Sequence, residues 1–228
     1  MYPDQYVRVK GFPWCRDAAK EVRIETLTQP ILCEKHNNQL GNEVDWAAKH
    51  SLEAISQAVE LMNRRQLVRS RHWNIKHFET DMLLLERWCI KALINMNHQG
   101  RMKYVDDSEP ENPPHELVEL VFGRRRITDH KGLYIIANVG VTHTVTEGQL
   151  QTTVMSKDER LVGAHFMLWG IPFYLNLLPT QVTRDNLSLV LPTNNVSFMR
   201  QGMKQVFSTR DDKNRDVKSH VLTFTYPE

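Results

Sequence analysis

The chain has 228 residues, is 41% hydrophobic and 25% charged, and carries a net charge of +2. These values exclude wholesale disorder and leave room for one large domain or two small ones; they supply no global basic charge of the kind that by itself points to nucleic acid. Three scattered cysteines (Cys15, Cys33, Cys89) exclude a disulfide scaffold and point to a reducing, cytoplasmic compartment.

The opening residues, MYPDQYVRVKG, hold no apolar run of the kind a signal peptide needs. Residues 1–40 read as irregular, with extended stretches at Val7 to Val9 and Thr28 to Cys33. A helix is then expected over Glu43 to Asn63, with Asn42 as N-cap and Asp45 three residues on. Val44, Ala48, Leu52, Ile55, Val59 and Met62 share one face of it. Asp45–Lys49 and Glu60–Arg64 have the spacing of i,i+4 ion pairs on the wet side. A second helix is expected from Thr80 to His98. It is apolar nearly all round, apart from Glu86, Arg87, Lys91 and Asn95, so it belongs in the middle of the fold. Gly100 stands where a left-handed helix terminator is expected.

The acidic, proline-rich segment Asp106 to Pro114 reads as a loop or linker. It divides a helical region, 1–105, from a β-rich region, 115–228, unless the two are one continuous domain. A short helix, His115 to Phe122, follows it. Beyond that the period changes to two. Strands are expected in GLYIIANVG (132–140), at Leu150 to Met155, Leu161 to Trp169 and Phe173 to Leu178, with a hairpin tip at Gly170 to Pro172. Met203 to Thr209 and Val217 to Tyr226 read as another hairpin, with Leu222, Phe224 and Tyr226 facing the core. Phe166 to Leu178 is the most apolar stretch. Gly170, Pro172 and Asn176 interrupt it, and it falls short of the roughly 20 apolar residues of a membrane span. The expected class is α+β, with a helical N-terminal half around a buried central helix and a largely antiparallel C-terminal sheet.

One segment carries chemical grammar. Cys33 and His36 stand in C-x-x-H spacing and Asn37 follows at once. A two-residue gap lets both side chains of a turn address one metal ion, and Cys15 is a candidate third ligand. LCEKHNNQL, Leu32 to Leu40, resembles the closing element of HNH-type endonucleases, LC-x-x-C-[HN]-x-x-K, where a knuckle leads into the helix of a ββα-metal finger. The resemblance implies zinc or another divalent metal, with Cys33 and His36 as one pair of ligands and Asn37 in the last catalytic-metal position. This chain departs from the pattern in three ways: residues 1–32 hold no histidine base, the first C-x-x-C is absent, and Leu40 replaces the lysine. An Asp-His pair occurs only downstream, at Asp129–His130. The same residues also read as an ordinary thiol at the end of a short strand and two turn residues.

A basic stretch, RRQLVRSRHWNIK, places Arg64, Arg65, Arg69, Arg71 and Lys76 around Trp73, the mixture used for phosphate contact and base stacking. A solvated helix end with a packed tryptophan fits it too. Arg124, Arg125 and Arg126 form a second positive spot, and the two would make a usable patch on a shared face. Neighbouring carboxylates (Glu21/Glu25, Glu109/Glu111, Asp158–Glu159) read as hydrated surface groups, His165 as a core histidine, and Cys89 as an inert buried thiol. The spacing of His72 and His77 fits neither one helix face nor a ligand pair. Phosphate-loop, dinucleotide, nucleophile-elbow and zincin motifs are absent from the sequence. The expectation is a prokaryotic-type, nucleic-acid-associated protein, with DNA as its candidate partner and a degenerate HNH-like knuckle that leans away from catalysis. The alternative is a non-catalytic interaction subunit of a larger complex.

Overall fold

The computed structural model describes residues 6–23, 32–67, 77–127, 131–138, 150–178, 196–199, 203–207 and 220–225. Strand β1 (Tyr6–Lys10) turns through a 3-10 turn at Pro13–Cys15 into β2 (Lys20–Arg23), its antiparallel partner. Helix α1 (Glu34–Leu40) passes through a π-helical turn at Gly41–Asp45 into α2 (Trp46–Leu67). The helical run therefore starts about nine residues before the expected N-terminus, with Cys33 rather than Asn42 in the N-cap position. Asn42, the expected N-cap, instead sits with Gly41 inside the wide turn of a π-bulge.

Strand β3 (His77–Asp81), which the sequence pattern does not announce, leads directly into α3 (Met82–Gly100), where Asp81 Oδ1 accepts the Leu84 N–H at 3.0 Å as an N-cap. Leu85, Cys89, Ile90, Leu93 and Met96 of α3 are buried, as expected of a central helix. Its C-terminus differs from expectation. Gly100 is the last helical residue, and Arg101 takes the left-handed conformation at φ 53°. Gly100 is glycine for space: a Cβ there would lie 2.1 Å from the Phe12 ring. The Asn97 side chain ties off the end, donating to the Met102 carbonyl at 2.8 Å and accepting the Met102 N–H at 3.2 Å.

β4 (Lys103–Tyr104) and α4 (His115–Val121) flank the acidic segment. That segment is a set of turns tied to its surroundings by Arg160–Asp107 (2.7 Å) and Lys103–Glu109 (2.8 Å). β5 (Gly132–Asn138), β6 (Leu150–Lys157), β7 (Arg160–Leu168), β8 (Ile171–Asn176) and β9 (Val196–Met199) follow. β10 (Met203–Phe207) and β11 (His220–Thr225) form the expected second hairpin.

The main sheet runs β2-β1-β6-β7-β8-β5-β9, with β4 also on β7. It is antiparallel except at β1–β6 and β4–β7, which are parallel. A smaller sheet runs β10-β11-β3. Both tight hairpins of the main sheet close through two residues with positive φ: Asp158 and Glu159 (51° and 62°), and Trp169 and Gly170 (48° and 80°). This is the mirror-image turn that matches strand twist, and it places the second tip one residue before the expected Gly170 to Pro172. The architecture is α+β, and one buried cluster, from Val7 to Leu177, draws on both sides of the acidic segment. Among the described residues no helix is long and apolar enough to cross a membrane.

Candidate functional site

The Cys33–His36 segment occupies the first turn of α1. The Asn37 N–H donates to the Cys33 carbonyl at 2.9 Å, which sets residues 33 and 36 on one side of the turn. Cys33 Sγ makes no cap hydrogen bond to the backbone; it lies 3.2 Å from His36 Nδ1, within hydrogen-bond reach. Cys33 and Asn37 are exposed and His36 is half-buried. The His36 ring meets Phe122 edge-on, with centroids 5.3 Å apart and planes at 70°. Arg124 lies over the same Phe122 ring, its Cζ 5.4 Å from the centroid. Phe122, at the end of α4, thus joins the Cys/His turn to the first residue of the arginine triplet.

The support for this arrangement comes from α3. Arg87, whose side chain is 8% exposed, donates through Nη1 to Glu43 Oε1 at 2.6 Å and through Nε to the Val121 carbonyl at 2.9 Å. One turn later Lys91 Nζ contacts Asp45 Oδ2 at 2.5 Å. The π-turn that carries Glu43 and Asp45 and the end of α4 are therefore held by one buried guanidinium and its neighbour. Gly123 leaves room for it: at φ 68°, an added Cβ would stand 3.0 Å from Arg87 Cζ. Asp45 pairs with Lys91 rather than with Lys49 as its spacing suggested, and Lys49 approaches Glu53 instead at 4.0 Å. The reason is geometric, since the π-turn brings Asp45, still 43% exposed, within reach of α3. Glu86 is also inside, 1% exposed, accepting the Leu133 N–H at 2.7 Å. The sequence offered one signal for this seam that went unused: Arg87 and Lys91 are four apart in an otherwise apolar helix, a spacing that puts two cations on a single face.

As metal ligands, Cys33 and His36 have a suitable separation. Two ligands of one tetrahedral zinc, at about 2.3 Å and 2.0–2.1 Å, lie about 3.5 Å apart. Cys15 does not join them. It is 4% exposed in the apolar core, where free thiols pack. Among the described residues no three His, Cys, Asp or Glu side chains gather around a common point. The described residues thus provide two ligands of the four that a structural zinc takes.

The basic residues fall into two groups. Arg124, Arg125 and Arg126 are exposed, with Arg125 3.8 Å from Glu116. Arg64 and Arg65 lie in the last turn of α2, about 45 Å of helix path from Cys33 at 1.5 Å per residue. Arg69, Arg71, His72, Trp73, Lys76 and the Asp129–His130 pair lie outside the described residues. The remaining candidates are structural. Asp158 and Glu159 form a hairpin tip. His165 sits between Thr153 and Tyr174 in the sheet, where burial lowers its pKa. Burial also pushes the Cys89 thiol well above its ordinary value and the Tyr104 hydroxyl up to about 12.

Comparison with protein-family models, with curated proteins and with solved structures returned no match.

Proposed function

We propose that the chain is a nucleic-acid-associated protein that meets a phosphate backbone with the surface at the end of α4, beside the HNH-like turn at Cys33 and His36. The observation that supports this reading is the shared Phe122 ring, against which both His36 and Arg124 rest. The arginine triplet and the Cys/His pair are then parts of one outward-facing surface. A guanidinium held over a ring has lost freedom in advance, so less is lost when it engages phosphate. Each phosphate neutralised releases a counterion, which makes such binding strongly salt-dependent. Arg64 and Arg65, in the last turn of α2, would add charge at the far end of the helical run. A divalent ion belongs to the same reading, with Cys33 Sγ and His36 Nδ1 as two of its ligands. Cleavage does not, because no histidine base precedes the turn.

The test is duplex DNA affinity as a function of salt, for the full chain and for Arg124→Ala/Arg125→Ala/Arg126→Ala together. The triple variant should bind more weakly, and its log–log salt slope should fall by about 2–3. Protein purified without chelator should carry about one zinc per chain, lost in Cys33→Ser. A chain that does not bind DNA at low salt, or a triple variant with unchanged affinity, overturns the nucleic-acid reading and leaves the interaction-subunit alternative. Zinc-free wild-type protein removes the metal from it.

A further inference from the structure

A cavity of about 150 Å³ lies between α3 and the part of the main sheet formed by β1, β6 and β7. Its roof is one stripe of α3, Trp88, Ala92 and Asn95 at i, i+4 and i+7, together with Met96. Its floor is built from two cross-strand pairs, Thr152 with Phe166 and Leu150 with Leu168, and from Val7 beside them. The stripe explains the gap. Trp88 and Met96 are long and stand at either end, while Ala92 between them ends at a methyl group, so the helix bridges the sheet without filling the space beneath it.

We propose that this cavity binds a small neutral aromatic molecule, one ring or two fused rings in size. Three observations carry the proposal. The first is volume: the space, partly open to solvent, is as large as apolar cavities that accept benzene-sized guests. The second is charge. Every lining side chain is uncharged, so a carboxylate or phosphate entering it would be desolvated without a counter-charge. The third is the character of the walls. Trp88 above and Phe166 below offer aromatic surface on both sides, and ring pairs gain beyond their buried area when stacked or edge-on. Asn95 on the roof and Gln151 and Thr152 on the floor add the few polar points that can meet a hydroxyl or ring N–H and fix a ligand's orientation. The site is separate from the Cys33–His36 surface, and its test stands or falls independently of DNA binding.

The experiment is thermal unfolding of the full chain with benzene, indole or benzoate. At about ten times the dissociation constant, benzene and indole should raise Tm by about 3–5 °C, while benzoate, the charged isostere of the same ring size, should leave it unchanged. Ala92→Phe, which fills the cavity, should fold and lose the response to both neutral probes. Should that variant fail to fold, the indole N–H resonance of Trp88 in the wild-type chain decides the matter, identified by its absence from Trp88→Phe. It should shift on addition of benzene. No rise in Tm with either neutral probe overturns the proposal, as does an undiminished rise in folded Ala92→Phe or a stationary Trp88 signal.

Discussion

Ten residues apart on one helical run, two pairs of polar side chains meet opposite fates. Glu43 and Asp45, their own side chains 46% and 43% exposed, reach inward from the π-turn to the buried Arg87 and to Lys91 on α3. Cys33 and His36 stay at the head of α1 in contact with each other, the thiol facing outward and the imidazole half-buried against Phe122. The inward pairs are ordinary surface residues by composition and the outward pair is the one with motif grammar, yet the fold leans on the first and hardly on the second. Ionic groups that enter a protein must be matched, because an unmatched one forfeits its hydration with nothing in return. Exposed groups carry no such obligation. The exposed Cys33 thiol is therefore not dictated by packing, whereas the His36 ring is packed edge-on to Phe122.

The largest effect that would test this contrast is at Glu43. Glu43→Ala leaves the buried Arg87 without its carboxylate and should cost about 2–3 kcal/mol by urea denaturation; a loss under about 0.5 kcal/mol would mean that the inward pairs are as dispensable as the outward one. Next comes Gly100→Ala. In an exposed helix interior that exchange gains up to about 1 kcal/mol. Here the added methyl meets the fully buried Phe12 ring, and a net loss of about 1–2 kcal/mol is expected. A gain would mean that Phe12 moves freely and that the end of α3 is loosely packed. The smallest effect belongs to the exposed end. In zinc-free protein, Cys33→Ser should change stability by less than about 0.5 kcal/mol, and a loss comparable to that of Glu43→Ala would erase the distinction between the two ends.

Much of the fold was legible because its elements obey simple periods. Leu85, Cys89, Leu93 and Met96 mark α3 as buried, and the runs that became β5, β6, β7 and β8 alternate or stay apolar between turn residues. What could not be read depends on neighbours distant in the chain. Gly100 looks like a terminator until Phe12 is placed against it, and Asp45 looks like a partner for Lys49 until the π-turn swings it toward Lys91. β3 is short and polar (His77, Glu79, Thr80, Asp81), and its strand identity comes from pairing with β11 rather than from its own pattern. At the candidate site, Cys33 and His36 were found by spacing. Phe122, which joins them to Arg124, was hidden because nothing in its own segment distinguishes it from any aromatic at the end of a short helix. Arg87 reads in the sequence as part of a narrow polar stripe, although a cation on a helix apolar nearly all round must find a partner inside.

The parallel pairing of β1 with β6 places Arg8 opposite Gln151. A ribosome must therefore deliver most of the chain before the inner edge of β1 finds its partner. Until then β1 and β2 can close only on each other, presenting an open row of amides and carbonyls. Contacts so distant in sequence slow folding, and a strand edge left waiting invites pairing between nascent chains. Cutting the chain within the acidic segment would make that wait permanent, so fragments ending there should aggregate rather than fold as a separate helical unit.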